Sequence, residues 1–138
     1  MKDKICPYCG SEVKLKNDSS FIYGKNYGAV YHCTNYPKCD SYVGCHKGTH
    51  NSLGRLANRE LRTKKSEAHY YFDFIWKAKR SLKKRSSRNA RGKAYTWLSK
   101  ELGIPNKDTH IGMFDVETCE RVIALCKPYV DNILNKRK

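Results

Sequence analysis

The 138-residue sequence has no apolar run approaching the ~18 residues that a membrane span needs. Met1-Lys2-Asp3-Lys4 leads straight into a cysteine pair, with no signal-peptide core between. These absences point away from a secreted or membrane-spanning protein. Acidic residues are scarce, with 13 Asp plus Glu against 28 Lys plus Arg, so the formal net charge is +15. Only 39% of the residues are hydrophobic, mean hydropathy is −0.79, and the chain is too short to build a large enzyme around a deep apolar pocket. What is left is a small, basic, intracellular protein whose charge favours a polyanionic partner.

The charge is concentrated. Residues 55–93 carry 14 basic and 3 acidic side chains (Glu60, Glu67 and Asp73), a local net of +11, whereas the other 99 residues have a net of only +4. An anion would therefore be met in the middle of the chain.

Seven cysteines, an odd number, are spaced unevenly: Cys6, Cys9, Cys33, Cys39, Cys45, Cys119 and Cys126. In a reducing cytoplasm, paired cysteine knuckles point to metal rather than to disulfides. Cys6-Pro7-Tyr8-Cys9-Gly10 can present two thiolates on one side of a tight turn, with Gly10 free to take the positive φ that closes it. Cys33-Thr34-Asn35-Tyr36-Pro37-Lys38-Cys39 can complete a tetrahedron from a second loop, with each sulfur about 2.3 Å from one Zn²⁺. Four thiolates leave no open position, so the predicted ion is structural, and its binding would supply folding free energy on the order of 10–16 kcal/mol. His32 and His46, each beside a cysteine, are competing ligands, as is a set using Cys33 and Cys45 without Cys39. Cys119 and Cys126 lie seven apart on an apolar stripe and read as buried thiols.

Residues 1–46 show short alternating stretches (Glu12-Val13-Lys14-Leu15 and Gly28-Ala29-Val30-Tyr31-His32) that predict strands, separated by turns at Asn17-Asp18-Ser19-Ser20 and Gly24-Lys25-Asn26. Further on, Leu53, Leu56, Ala57, Leu61, Ala68, Phe72 and Ile75 fall near a 3.6-residue period and predict a helix. A second helix is predicted from Ser87 as N-cap to Leu102, stopped by Gly103 and Pro105. The basic run at 77–88 between them reads as a mobile loop or as a helix ordered only on a partner. Asp115 is a predicted N-cap for a helix with Val116, Cys119, Val122, Ile123 and Cys126 on one face. Pro128 should end or kink that helix, and the tail at 136–138 should fray.

The stretch Tyr27-Gly28-Ala29-Val30-Tyr31-His32-Cys33-Thr34-Asn35-Tyr36-Pro37-Lys38-Cys39, together with Cys6-Pro7-Tyr8-Cys9-Gly10, resembles the zinc ribbons at the C-terminus of bacterial type I DNA topoisomerases. The resemblance covers about a third of the chain, and it implies that the ribbon holds single strands through its aromatics. It departs from that pattern at Val30, where an aromatic is usual, and in its longer loop between Cys9 and Cys33. A wider pattern is similar to a family found in phages, prophages and bacteria and described only as zinc-finger-containing: Cys-Pro-Tyr-Cys-Gly, Tyr42-Val43-Gly44-Cys45-His46, Leu53-Gly54-Arg55-Leu56-Ala57, Ala94-Tyr95-Thr96-Trp97-Leu98 and His110-Ile111-Gly112-Met113-Phe114-Asp115. That likeness implies a phage or mobile-element origin and assigns no activity.

The sequence thus predicts an α+β protein with two parts. A four-cysteine zinc ribbon of short antiparallel strands (1–46) binds one structural Zn²⁺ through Cys6, Cys9, Cys33 and Cys39. A basic bundle of three to four helices (47–138) packs against it. The expected function is non-catalytic nucleic-acid binding, to DNA rather than RNA and to single-stranded or structured forms, in the cytoplasm of a bacterial host cell, at the nucleoid, with no membrane partner. Lys77, Lys79, Arg80, Lys83, Lys84, Arg85, Arg88 and Arg91 would supply charge, and Tyr27, Tyr31 and Tyr36 would supply stacking. Two alternatives stay open. One is a module that binds a host replication, repair or transcription enzyme, with Tyr70, Tyr71, Phe74 and Trp76 as anchors. The other is a metal-dependent nuclease built on His46, His50 and Asn51 with His69 or Asp73 and a second, open metal position.

Overall fold

A computed structural model describes residues 4–83 and 86–137, with the backbone alone at Lys83. The elements run β1 (Val13–Lys16), a short helix α1 (Ser20–Tyr23), β2 (Val30–Cys33), β3 (Tyr42–Gly44), α2 (Arg59–Lys83), α3 (Ser87–Leu102) and α4 (Val116–Lys136). Two 3₁₀ turns, Asn106–Asp108 and Ile111–Met113, lie between α3 and α4. This is the predicted α+β architecture. Among the described residues no helix is long and apolar enough to cross a membrane. The chain divides into two compact units, Met1–Arg62 and Thr63–Lys138, so the division falls inside α2 rather than at residue 46.

In the first unit an antiparallel sheet has the order β1-β2-β3. Val13 pairs with Cys33 and Leu15 with Tyr31, while Tyr31 also pairs with Val43 and His32 with Tyr42. Because side chains alternate along a strand, this register puts Val13, Tyr31, Cys33 and Val43 on one face, where they join Cys6, Cys39 and Leu56 in a small core. His32 and Tyr42 occupy the other face.

Residues 47–58 belong to this unit too, which corrects the helix expected to begin near Leu53. The chain turns back after β3 and bridges it, with Cys45 opposite Ser52 and Tyr42 opposite Ala57. The spacing of Leu53, Leu56 and Ala57 suits a helix, but the backbone groups of Gly44 and Tyr42 take the hydrogen bonds instead: Leu53 N–H donates to Gly44 at 2.9 Å and Tyr42 N–H to Ala57 at 3.0 Å. The helix starts only where the Asn58 side chain accepts from Leu61 N–H at 3.0 Å, the bond that identifies an N-cap. Arg62, in the first turn of α2, donates to the carbonyls of Asp40 and Ala57 at 2.7 Å each.

In the second unit the buried side chains are Ala68, Phe72, Ile75 and Trp76 of α2, Ala90, Leu98 and Leu102 of α3, Ile111 and Phe114, and Cys119, Val122, Cys126 and Val130 of α4. Phe72 meets Tyr95 with ring centroids 4.5 Å apart, and Arg121 donates to the Leu102 carbonyl at 3.0 Å. The basic run is not a loop up to residue 83, because it continues α2 without a break. Lys84 and Arg85 lie outside the described residues, as does Lys138. The cap of α3 is Ser86 rather than Ser87, its hydroxyl accepting from Asn89 N–H at 3.2 Å. Gly103 closes α3 at φ 71°, as predicted. Asp115 caps α4 through Thr118 N–H at 2.8 Å. Pro128 does not end α4, which runs on to Lys136 and buries Val130 beyond it.

Phe72 is fully buried and Leu82 is 83% exposed. Phe72→Ala is therefore expected to cost the second unit about 3–5 kcal/mol and Leu82→Ala no more than about 0.5 kcal/mol in denaturant unfolding. Equal losses would contradict this packing.

Candidate functional site

Two knuckles form the candidate metal centre. In the first, Ile5 bridges Glu12, Cys6 N–H donates to the Ser11 carbonyl at 2.7 Å and Gly10 N–H to the Cys6 carbonyl at 2.9 Å. Gly10 has φ 79°, the left-handed conformation that glycine takes without steric cost. In the second, which follows β2, Tyr36 N–H donates to the Cys33 carbonyl at 3.0 Å and Cys39 N–H to the Asn35 carbonyl at 3.1 Å. The result brings the sulfurs of Cys6, Cys9, Cys33 and Cys39 within 4.8 Å of one another. Cys6 and Cys39 are 3.6 Å apart, and Cys9 and Cys33 3.3 Å. A zinc ion with sulfurs at about 2.3 Å in a tetrahedron would space them about 3.8 Å apart, so both the donor chemistry and the separations fit one Zn²⁺.

Four thiols this close cannot all ionise without a cation among them, and their protonation reflects that. Hydrogen bonds from the Ser11 hydroxyl and backbone N–H, then from Cys33, draw the Cys9 thiol down to about 6. Burial pushes its neighbour Cys33 up to about 12. Burial also raises Cys39. At Cys6 burial acts upward but is outweighed by bonds from the Ser41 hydroxyl and the N–H groups of Tyr8 and Cys9. Each close pair thus holds one more acidic and one less acidic sulfur, and a divalent ion would displace thiol protons on binding.

Ser41 is the residue that sequence reasoning missed. It is fully buried, and its hydroxyl lies 3.2 Å from both Cys6 Sγ and Cys39 Sγ while its carbonyl accepts from Cys33 N–H at 3.1 Å. Its position two residues after Cys39 is the only signal, and a hydroxyl there has many other uses. Cys45, His32 and His46 stand outside the cluster. His32 Nδ1 lies 2.9 Å from the Cys33 carbonyl. Cys119 and Cys126 are buried as expected, and burial raises Cys126 to about 12.

The opposite face of the sheet carries aromatics. The long loop between Cys9 and Cys33 inserts β1 and α1, and α1 lays Phe21 and Tyr23 over this face. Edge-to-face contacts at 5.0–6.2 Å link His32, Phe21, Tyr36, Tyr42, Tyr23 and Tyr27 in one run. Cations cover three of the rings: Lys16 lies 4.5 Å from Phe21, Arg62 4.0 Å from Tyr42 and Lys25 5.7 Å from Tyr27. Of the predicted stacking residues, Tyr27 is 70% exposed. Tyr36 is half-buried between Phe21 and Tyr42, and Tyr31 donates its hydroxyl to the His50 carbonyl at 2.7 Å.

The predicted cations divide. Lys77 and Arg80 lie 5.6 and 5.8 Å from the Trp76 ring, and Arg91 lies 5.7 Å from the Tyr95 ring. Arg88 and Arg91 line a cleft of about 570 Å³ with Trp76, Tyr95 and His110, and Arg80 donates to the Ser87 hydroxyl at 2.5 Å. Lys79 instead faces α4. Lys83 closes α2, and Lys84 and Arg85 fall outside the described residues. Lys93, not predicted, lines a polar groove of about 620 Å³ with Arg88, Asn89 and Thr96. Trp76 and Phe74 serve mainly as packing, Trp76 being 8% exposed and donating its Nε1–H to Asp73 at 2.7 Å. Of the nuclease candidates, the His50 ring lies 2.8 Å from Asn17 Oδ1, and His69 and Asp73 are on α2. Among the described residues, the four cysteines are the group of ligating side chains close enough to hold an ion.

Two cysteine knuckles on a three-stranded antiparallel sheet, with four sulfurs converging on one point, define a zinc-finger protein whose ion is held by thiolates alone. The chain belongs to the zinc-finger-containing domain family, whose model matches residues 2–129. No curated protein and no solved structure matches it.

Ser41→Ala, which removes the hydroxyl shared by two sulfurs, is expected to weaken zinc binding about 10–100-fold in competition against a chromophoric chelator. Cys33→Ser should abolish binding and Cys45→Ser should retain it. Zinc lost from the Cys45 variant, or affinity unchanged in the Ser41 variant, would contradict the assigned ligand sphere.

Proposed function

We propose that the protein binds nucleic acid without catalysing a reaction, gripping single-stranded or structured DNA in preference to RNA. The observation that carries this reading is the convergence of Lys77 and Arg80 from α2 with Arg88 and Arg91 from α3 around Trp76 and Tyr95. Cations separated in sequence are held by folding on one surface, where each neutralised phosphate would release condensed counterions. Lys77 and Arg80 lie beside the Trp76 ring and Arg91 beside the Tyr95 ring, an arrangement suited to a chain of bases and phosphates.

The ribbon adds a second element. Tyr27, with Tyr23 and Phe21 at 45% and 37% exposure, offers rings on which unpaired bases can stack, each worth about 1–3 kcal/mol. Tyr36 acts instead by holding that array in place, whereas Tyr31 packs on the core face of the sheet. The non-catalytic part of the reading rests on the thiolate set, because four sulfurs saturate a tetrahedral ion and leave no position for substrate or water. The surroundings proposed for this activity are the cytoplasm of a bacterial host, with the protein encoded by a phage or mobile element.

Gel-shift titrations on single-stranded, duplex and forked DNA at about 50 and 200 mM salt test the reading, with zinc content measured on the same sample. With about six phosphates contacted, affinity should fall on the order of 10³-fold across that range. The double variant Arg88→Ala/Arg91→Ala should reduce the salt slope by about 2. A complex insensitive to salt, or one unchanged by the double variant, would overturn the proposal.

A further inference from the structure

The core of the second unit runs out before its helices do. On α2 the buried series Ala68, Phe72 and Ile75 continues in sequence as Ala78 and Leu82. On α4 the buried series Cys119, Val122, Cys126 and Val130 continues as Ile133. These continuations line a groove of about 420 Å³ with Tyr129, Lys79, Lys136 and Arg137 at its border. Leu82 is 83% exposed and Tyr129 54%, so large apolar surface stands in water at the groove. Part of the border is held in place by its neighbours: Trp97 meets the Tyr129 ring edge-on at 5.7 Å, and the Arg137 guanidinium lies 5.3 Å from the Phe74 ring.

We propose that this groove docks an acidic amphipathic helix of a partner protein, an inference independent of the nucleic-acid reading. Two helical stripes with apolar residues three and four apart form the kind of trough into which a third helix lays its own i, i+3, i+4 and i+7 side chains. The border decides the sign of the partner. Its charged members, Lys79, Lys136 and Arg137, are all cationic, and among the described residues no carboxylate lines the groove. A helix with Asp or Glu flanking its apolar stripe would meet that border with complementary charge. A second copy of this chain would not, since a two-fold contact sets each cationic border against its own image. A phosphate backbone would gain nothing from the apolar floor.

The test is selection from a display library of random peptides about 16 residues long, some four turns of helix, against the zinc-loaded full chain. Enriched sequences should carry Leu, Ile or Phe at helical spacing flanked by Asp or Glu. Synthetic copies should lose on the order of tenfold or more in affinity against Leu82→Asp, a change at an exposed position that leaves the fold intact, and similarly against Lys79→Glu. The Leu82→Asp protein should shift DNA as the parent does. The proposal is overturned if no sequence is enriched, if enriched peptides lack the acidic amphipathic pattern, or if Leu82→Asp leaves their affinity unchanged. It is equally overturned if that substitution abolishes binding to vesicles containing anionic lipid, or abolishes self-association in sedimentation, since the groove would then belong to a lipid surface or to a second copy.

Discussion

Sulfur held around one divalent ion is the constraint on which the first unit depends. Its core consists of Cys6, Cys33, Val43 and Leu56, with Val13, Tyr31 and Cys39 packed at the edge. Three of those seven residues are ligands, so the metal centre and the hydrophobic core are one object. So small a core buries too little apolar surface to offset chain entropy unaided. The ion stands in for the missing packing, joining a turn near residue 6 to one near residue 39 and so fixing the ends of the sheet. Ser41 extends the same logic outward. Its side chain bridges two sulfurs while its carbonyl receives the N–H of a third ligand, Cys33, so β3 cannot shift without disturbing the thiolates.

The second unit is stabilised differently. Its three helices bury a continuous series of Phe, Leu, Ile, Val and Cys side chains, and its caps and stops (Ser86, Gly103 and Asp115) are ordinary helix chemistry. That core allows the outer faces to be extreme in composition. Lys77, Arg80, Arg88 and Arg91 repel one another in the folded state, and the aromatic rings beside them return part of that cost through cation–π attraction. The two proposed surfaces differ accordingly: cations rest on rings at the α2–α3 face, and a cationic border surrounds an apolar floor between α2 and α4.

Much of this was legible in the residues, and what was not has identifiable causes. The Cys-x-x-Cys turn and its glycine declare the metal, because few other structures need two thiols at that spacing. Gly103 with Pro105, and Asp115, mark helix ends by their backbone preferences alone. The stretch at 53–57 misled because Leu53, Leu56 and Ala57 satisfy a helical period as well as a bridged strand, and only the free hydrogen-bonding edge of β3 decides between them. Lysines at 77–83 look the same in a loop and on the wet side of a helix, and the apolar positions Ala78 and Leu82 were too sparse to mark the continuation. Pro128 was expected to end or kink α4; it does not end it, since burial of Val130 beyond it outweighs one lost donor. Ser41 carries no periodicity or motif, and its role exists only once two distant turns have met.

The account as a whole is tested most directly by X-ray absorption at the zinc edge on the purified protein. The predicted spectrum is that of a single shell of four sulfurs at about 2.3 Å. A shell containing nitrogen or oxygen, or a protein that folds with no zinc to measure, would contradict it.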